Sequence, residues 1–276
     1  MSVSAEIKIF TDSTSDLPLE MAKESGIGVI PASIVIGDRG FLDRETIWMP
    51  EIIDMLHQEI IPTTGSPGIG IMKERFQQAG DKQIISINIS GKLSGIFEHA
   101  TKAAENIAPR PRVIDSGTTS MALGFLALEA ARLARQGRSP AGIIATIEEM
   151  KTRSVAMVAL PTTKYVELGG RISHLKGIAA SMLRICPILE VRDGRVQELE
   201  KPRTWRVAKA RLLEVARGID FEHLAVMYVE SDAEADELIR GLPVPRSREI
   251  LKVQLGAALA SHIGPGGLAV CGIKGV

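Results

Sequence analysis

Aromatic side chains are scarce in this chain of 276 residues, because phenylalanine, tryptophan and tyrosine together make up only 4%. Proteins that bind single-stranded nucleic acid stack bases on such rings, so the shortage argues against that function. The charge balance points the same way, since 33 basic and 33 acidic residues cancel and leave no overall field to attract a polyanion. We therefore expect no nucleic-acid partner, and an aliphatic interior favours an aliphatic ligand.

Cysteine is also rare, and the two that are present, Cys186 and Cys271, are too few for a disulfide framework. Both lie in apolar stretches of sequence, where we expect small buried side chains. None of the five histidines stands at a metal-ligand spacing from another histidine or from a cysteine, so we predict no metal site.

Long apolar runs are absent as well. No run approaches the roughly 20 residues needed to cross a bilayer, because Glu129 and Arg132 interrupt the longest helical candidate. The N-terminal stretch contains Glu6 and Lys8 and is followed by Asp12, so it is interpreted as a first strand and not as a signal peptide. These features predict a cytoplasmic protein.

What the chain does contain is a set of short stretches built from hydroxyl residues and glycine. They lie far apart, each close to an apolar run: 11–16 (TDSTSD), 63–67 (TTGSP), 93–95 (LSG) and 115–117 (DSG). A hydroxyl-rich turn between a buried strand and a helix directs hydroxyls and free backbone N–H groups towards one place. The sequence therefore predicts a site that holds a small acid.

The first half of the chain alternates strand-like and helix-like segments. The strand candidates are short, rich in β-branched residues and bounded by turn residues: 7–10, 29–36, 84–89 and 113–114. Helical patterns occupy much of the remaining length: 50–59, 67–78, 95–107, 119–136 and 139–151. This βαβ order predicts an α/β fold with a mainly parallel sheet and helices on both of its faces.

The pattern changes near Ala156, where we place the boundary between an N-terminal domain, 1–156, and a C-terminal domain, 157–276. Antiparallel pairing enters with a predicted hairpin over 187–200, because Asp193-Gly194 supplies the positive φ that a two-residue turn requires. Helix, strand, helix and strand patterns follow at 204–217, 224–229, 233–240 and 250–253. The second domain is therefore predicted to be α/β with a mostly antiparallel sheet.

Asp12 is the first candidate for chemistry, since open α/β sheets place functional groups at the carboxyl ends of their strands. An aspartyl nucleophile of the phosphatase type would need a second acid two residues later, where this chain has Thr14. Two interpretations stay open for Asp12 and Ser13: they line a ligand cleft, or they cap the helix that follows.

Two further hydroxyl stretches stand just before helical patterns. In Thr64-Gly65-Ser66-Pro67, free N–H groups and two hydroxyls suit a carboxylate or a phosphate, and simple helix capping is the alternative. Ser94 stands one position late in Gly91-Lys92-Leu93-Ser94-Gly95 for the strained elbow of a hydrolase, so no catalytic serine is predicted.

Three features of the second half have both a functional and a structural interpretation. His262 stands beside a glycine-rich turn whose backbone must approach something closely, and it either serves a site or packs there. Arg171 follows two glycines and either forks onto a carboxylate or bonds interdomain carbonyls. From 184 to 217, nine basic residues against five acidic ones form either a modest docking surface or a solvated face.

Taken together and in this order, the motifs resemble the DegV family of bacterial fatty-acid-binding proteins. Seven motifs carry the resemblance almost from end to end: 11–18 (T-D-S-T-S-D-L-P), 64–67 (a T-S-Q-P-like turn), 89–95 (I-S-x-x-L-S-G), 115–116, 169–173 (G-G-R-I-S), 201–203 (K-x-R) and 262–266. The resemblance implies two α/β domains that enclose one long-chain fatty acid in a tunnel between them, with no cofactor.

The resemblance also implies the roles of particular residues. Thr64, Ser94 and His262 would hold the carboxylate, and Arg203 would help to dock a separate ATP-using fatty acid kinase subunit to which the acid is presented. The protein itself would then be a carrier without catalytic residues. We expect the pocket to be supported by six further residues: Asp12, Ser13, Gly65, Gly95, Ser116 and Arg171.

Two positions differ from the family pattern, with Gly65-Ser66 in place of serine-glutamine and Ile96-Phe97 in place of threonine-tyrosine. A carrier of this kind must also exchange its ligand, which suggests transient contact with a membrane surface. Two alternatives remain, an enzyme for a small phosphorylated or carboxylated metabolite and a regulatory module that senses a lipid. The enzyme is disfavoured because the sequence has no P-loop, metal cluster or nucleophile elbow.

Overall fold

The computed structural model describes residues 6–172 and 185–276. The strands in these ranges are β1 Ile7–Asp12, β2 Gly28–Ile30, β3 Ser33–Ile36, β4 Arg39–Leu42, β5 Thr63–Gly65, β6 Gln83–Asn88, β7 Arg112–Asp115, β8 Ser154–Ala159, β9 Ile188–Arg192, β10 Arg195–Glu200, β11 Phe221–Tyr228, β12 Ile250–Gln254 and β13 Leu268–Lys274. The helices are α1 Leu19–Glu24, α2 Met49–His57, α3 Ile69–Gln77, α4 Ile96–Ala104, α5 Ser120–Arg135, α6 Pro140–Met150, α7 Lys164–Leu168, α8 Trp205–Arg217, α9 Asp232–Gly241 and α10 Ala257–Ile263.

Four parallel strands form the first sheet, in the order β2-β1-β6-β7. The central strand β6 is buried along nearly its whole length, as is typical of parallel strands that are covered on both faces. Helix α5, which is apolar over most of its circumference, contacts β1 and β6 of this sheet and also β8 and β13. The parallel sheet predicted for the first half is confirmed.

Six strands form the second sheet, in the order β10-β9-β8-β13-β11-β12. Every neighbouring pair is antiparallel except β11 and β12, so the mostly antiparallel sheet predicted for the second half is also confirmed. The hairpin of β9 and β10 turns at Asp193 and Gly194, whose φ values are 52° and 75°. These are the positive angles that the Asp-Gly pair predicts.

A third, small sheet of order β4-β3-β5 corrects two sequence predictions. The segment 29–36 is not one strand but two, because Pro31 lacks the N–H that would continue the ladder, and β3 turns away to pair with β4 and β5. Thr63–Gly65, predicted as part of a turn, is strand β5, in which Thr64 pairs with Ile34.

The two halves of the chain share one hydrophobic core. Its buried members come from the first sheet, such as Ile87, and from the second, such as Met227 and Cys271. Helix α10, close to the C-terminus, packs on α2, β3 and β5 of the first half. The predicted boundary at residue 156 falls inside β8, all of which pairs with β13, so the change of sheet precedes Ser154. The division into two domains stays a prediction.

Candidate functional site

A cavity of about 130 Å³ lies where the two halves meet. One wall is the face of the six-stranded sheet, and the other is formed by α10 and by loops at the carboxyl ends of the first-sheet strands. The volume is several times the space that one water molecule needs, so the cavity is not a packing defect between side chains. Most of the surface that it exposes is aliphatic.

The sheet wall is built from residues of four neighbouring strands, β10, β9, β8 and β13. Ala156, Met157 and Val158 of β8 line the cavity, and Val155 packs into the separate core on the opposite face, to which Met157 also belongs. The adjacent strands contribute Leu189, Glu190, Val191, Val196, Ala269 and Cys271. Four strands span about 14 Å across the ladder, which gives the cavity an elongated wall.

Helix α10 supplies the opposite wall through one of its faces. Ala258 and His262 stand one turn apart on this face, with Leu259 and Ile263 beside them. The helical period therefore places the imidazole of His262 on the same surface as three aliphatic side chains. A polar group is presented to an otherwise apolar space.

Four polar residues line the cavity near the C-terminal end of α10. The Oγ1 of Thr64 lies 2.6 Å from Nε2 of His262, and Arg171 is close enough to His262 to lower its pKa. The guanidinium of Arg171 donates to the carbonyl oxygens of Gly169, at 2.6 Å, and Leu93, at 3.4 Å. Ser94 follows Leu93 and also lines the cavity. We call Thr64, Ser94, Arg171 and His262 the polar cluster.

The electrostatics of the polar cluster favour an anion. Burial, followed by the positive charge of Arg171, lowers the pKa of His262 to about 4, so its imidazole is neutral at pH 7. Burial also lowers the pKa of Arg171, which nevertheless stays charged and brings the cluster a positive charge. The Nδ1 of His262 is buried and has no hydrogen-bond partner within the described ranges.

The structure places all three predicted carboxylate residues in the lining of one cavity. Thr64, Ser94 and His262 all line the cavity, as do Gly65 and Arg171 from the predicted supporting set. Gly95 is not part of the lining, because it serves as the N-cap of α4. Whether these side chains bind a carboxylate stays a prediction, but their convergence from three distant segments is a structural fact.

Asp12, Ser13 and Ser116 were predicted to support the pocket, and the structure places them elsewhere. All three are buried without lining the cavity. Ser116 donates to the carbonyl oxygen of Thr118, and Asp12 and Ser13 bond backbone groups of neighbouring segments. Hydroxyl-rich loops at strand ends therefore serve the protein's own backbone here, which the sequence pattern does not distinguish from ligand binding.

The rival hypothesis of an aspartyl nucleophile finds no support in this geometry. Oδ1 of Asp12 accepts from the N–H and the hydroxyl of Thr14, and Oδ2 accepts from the N–H of Ile89 at 2.8 Å. Both oxygens are thus occupied inside the protein. Within residues 6–172 and 185–276, no three histidine, cysteine or acidic side chains are grouped as a metal site would require.

Four of the eight described basic residues in the stretch from 184 to 217 form ion pairs: Arg192, Lys201, Lys209 and Arg211. Lys209 pairs with Glu234, and Arg211 pairs with Glu200 at 2.6 Å. Arg203 is exposed just before α8 and makes no ion pair or hydrogen bond with any residue that the structure describes. Arg184, and Ser173 of the glycine-arginine motif, lie outside the described residues.

Several cavity residues were not predicted from the sequence. They are the small and branched residues of β8, β9 and β13, and the residues Thr14, Thr119 and Ser120 at the other end of α10. Strand β13 carries a usable signal, because its cavity residues Ala269 and Cys271 alternate along the strand. Cys271 is buried as expected, whereas Cys186 is only partly buried.

The fold and the site together define a class of protein: an α/β protein with an aliphatic cavity between its two larger sheets and a cluster of polar residues at one end of that cavity. Comparison with known proteins identifies the family within that class. The chain belongs to the DegV family, whose profile, described as "Uncharacterised protein, DegV family", matches residues 6–275.

Individual relatives agree with this membership over their full lengths. A DegV domain-containing protein of Streptomyces coelicolor is 32% identical, over 97% of this chain and 98% of its own. Among solved structures, one described as "Fatty Acid Binding of a DegV family Protein from Thermus thermophilus" has a TM-score of 0.88 at 28% identity, covering 98% of this chain and 99% of that one. DegV of Bacillus subtilis, described as a fatty acid binding protein, has a TM-score of 0.87 at 28% identity, covering 99% and 100%.

Proposed function

We propose that this protein binds a long-chain fatty acid, with the acyl chain in the aliphatic cavity and the carboxylate at the polar cluster. The observation that carries the proposal is the cavity itself, in which an elongated aliphatic surface ends at Thr64, Ser94, Arg171 and His262. The Thermus thermophilus and Bacillus subtilis relatives described as fatty acid binding support it.

The two parts of the ligand would contribute differently. Burial of an acyl chain gains about 0.8 kcal/mol for each methylene, or roughly 12 kcal/mol for about fifteen, before the entropic losses of binding. A hydrogen bond to a charged group contributes about 1.5 to 3 kcal/mol. The chain therefore provides most of the affinity, and the polar cluster decides which end of the molecule lies beside His262.

Native mass spectrometry of freshly purified protein, followed by extraction into organic solvent, tests this proposal. We expect a bound mass that extraction identifies as a fatty acid. The matched comparison is a chain with Ala156→Trp, which fills the sheet wall of the cavity and should purify without the added mass. A wild-type protein that carries no acyl mass and does not take up added oleic acid would contradict the proposal.

We further propose that the protein acts as a carrier without a catalytic step of its own and presents the carboxylate to a separate ATP-using kinase subunit. Family resemblance supports this role, and Arg203 is available for docking because it is exposed without a partner in the described part of the chain. Arg203→Ala is expected to preserve oleic acid binding and to lower acyl-phosphate formation by the kinase, with Arg206→Ala as the control. Equal turnover with all three proteins would contradict the docking role.

Exchange of the ligand through transient contact with a membrane surface, in the cytoplasm, is the remaining part of the proposal. Within the described residues, no helix combines the length and the apolar character that crossing a membrane would require. Flotation of the protein with lipid vesicles containing oleic acid, compared with vesicles lacking it, is the corresponding measurement. Binding to neither would count against this part.

A further inference from the structure

The residues of the polar cluster must be held in position by contacts between distant segments of the chain. Thr64, Ser94 and His262 come from three segments that are distant along the chain, so no local geometry holds them in register. Their relative positions must be set by contacts between the segments. The loop of residues 12–16, at the carboxyl end of β1, is completely buried and carries two aspartates, although it contributes only Thr14 to the cavity.

The first contact of this loop leads to Ser94. The Oδ2 of Asp12 accepts a hydrogen bond of 2.8 Å from the backbone N–H of Ile89 and one of 3.4 Å from the side chain of Asn88. Ile89 begins the connection in which the N–H of Ser94 bonds the carbonyl oxygen of Ser90 at 3.1 Å. Asp12 therefore holds the start of the segment that presents Ser94.

The second contact leads to Thr64. The Oγ of Ser13 accepts from the N–H of Ala32 at 2.9 Å and donates to Oδ2 of Asp43 at 2.8 Å. Ala32 directly precedes β3, the strand that pairs with β5 and so with Thr64. Ser13 thus holds β3, the strand with which the strand of Thr64 is paired.

The third contact leads to His262. The Oδ1 of Asp16 accepts from the N–H of Gly256, the N-cap of α10, at 2.7 Å and from Arg44 at 3.3 Å, while Oδ2 accepts from Ser120 at 2.7 Å. Burial raises the pKa of Asp43, and hydrogen bonds from the next N–H groups of the same helix, those of Ala257 and Ala258, partly oppose this rise. Asp16 therefore holds the beginning of the helix whose end carries His262.

We propose that the loop 12–16 positions the polar cluster, with Asp12, Ser13 and Asp16 as positioning residues that set the segments of Ser94, Thr64 and His262 respectively. None of these three residues touches the ligand in this role. This inference rests on the proposed function in one respect, because the polar cluster that the loop positions is the site proposed there for the carboxylate.

Two glycine variants at helix N-caps provide the test. A Cβ at Gly256 would lie 2.9 Å from the Arg44 guanidinium and 3.1 Å from Oδ1 of Asp16, whereas a Cβ at Gly68, the N-cap of α3, meets nothing within 4 Å. The measurements are the imidazole nitrogen resonances of His262, assigned by their absence in His262→Gln, and the affinity for oleic acid. Both are made at a temperature where each protein is folded.

We expect Gly256→Ala to shift the His262 resonances and to weaken oleic acid binding by about tenfold, the loss of one well-placed hydrogen bond to a charged group. Gly68→Ala should change neither. The isosteric Asp16→Asn should act like Gly256→Ala, with the exposed Asp38→Asn as its control. A purely structural role would lower the melting temperature and leave the His262 resonances unchanged, and that result would overturn the proposal.

The two proposals fail in distinguishable ways. If wild-type protein does not bind oleic acid, the proposed function fails, while the His262 resonances of the variants still decide the positioning role. If oleic acid binds wild type and all four variants equally, the proposed function survives and the positioning role is overturned.

Discussion

The proton on His262 decides which hydrogen atoms of the polar cluster face the cavity. When Nε2 carries the proton, it donates to Thr64, whose own hydroxyl hydrogen then remains available to an anion. In the opposite tautomer, the Thr64 hydroxyl would donate to Nε2 and offer the ligand only lone pairs. A carboxylate bound as proposed would therefore select the Nε2–H form of the neutral imidazole.

Replacement of Thr64 by valine tests this arrangement, because the shape is kept and only the hydroxyl is lost. We expect oleic acid to bind about 10- to 150-fold more weakly, which corresponds to about 1.5 to 3 kcal/mol. Thr63→Val is the matched control, since Thr63 lies on the same strand but is exposed and is not part of the lining of this cavity. Equal affinities in calorimetric titration of both variants would remove Thr64 from the carboxylate site.

The low pKa of His262 predicts a dependence of stability on pH. In the unfolded chain His262 binds a proton near pH 6.5, but in the folded protein it does so only near pH 4. Because the unfolded state binds the extra proton between these values, the free energy of unfolding falls as the pH is lowered from about 6.5 to about 4. Up to about 3 kcal/mol of it is expected to be lost. Denaturant unfolding of wild type and His262→Gln at several pH values measures the difference between them.

That difference must be taken between the two proteins because Asp16 acts in the opposite direction. Burial raises the pKa of Asp16 to about 7, so its contribution is present at low pH and is lost as the pH rises from about 4 towards 7. Asp16 is common to wild type and His262→Gln, and its effect cancels. A difference that stays constant from pH 4 to pH 7 would contradict the assignment to His262.

Among the elements, the hairpin of β9 and β10 connects the two walls of the cavity. Its turn packs on the segment before Ser94, where the Oγ of Ser90 and the Nζ of Lys92 donate to the carbonyl oxygens of Gly194 and Asp193, both at 2.8 Å. The same two turn residues therefore set the hairpin geometry and its contact with the first half of the chain.

Gly194→Ala is expected to destabilise the protein through both conformation and contact. A left-handed backbone alone costs a non-glycine residue about 1 to 2 kcal/mol, and a Cβ at Gly194 would also lie 2.6 Å from the Oγ of Ser90. Gly37→Ala isolates the first effect, because Gly37 has a φ of 56° and open space around it. Urea unfolding should show a larger loss for Gly194→Ala, and equal losses would contradict the packing of the turn.

For the whole molecule, the decisive feature is that the two sheets do not have separate interiors at their junction. Helix α10 packs into the first half of the chain, and helix α5 contacts both sheets. Two carboxylates of the first half, Asp16 and Asp43, are buried against the start of α10. Separation would remove the backbone N–H groups of α10 from these buried carboxylates and would expose much of the shared core.

We therefore expect neither fragment 1–153 nor fragment 154–276 to unfold cooperatively when produced alone. Thermal unfolding monitored by circular dichroism, with the full chain as the control, measures this. A sharp transition in an isolated fragment would show instead that the half in question is an independent domain, as the division near residue 156 predicts.

Prediction of the fold succeeded where one segment carried its own signal. The β-branched run of β6 and the Asp-Gly hairpin were placed within one or two residues. Helix α10 and strand β13 were not, because their small residues show neither a clear helical nor a clear strand period, and their structure depends on the packing of neighbours. The break at Pro31 was missed for a similar reason, since only the pairing of β3 with β5 shows where the chain turns.

For the site, the sequence predicted which residues belong to it better than it predicted the hydrogen-bond partners of their side chains. Thr64, Ser94, Arg171 and His262 were all named from their motifs, and they meet in the cavity. Asp12, Ser13 and Ser116 carry the same kind of motif but bond the protein's own backbone, because a hydroxyl or carboxylate before a helix suits an internal N–H as well as a ligand.

The amino-acid sequence by itself determined the α/β class, the parallel and antiparallel halves and the residue types of the polar cluster, since these depend on local periodicity and turn chemistry. Only the tertiary structure decided which of the hydroxyl loops reaches the cavity and which holds the framework in place. The physical reason is that burial and hydrogen-bond partners arise between segments up to 240 positions apart, as for Asp16 and Gly256, and no local pattern records them.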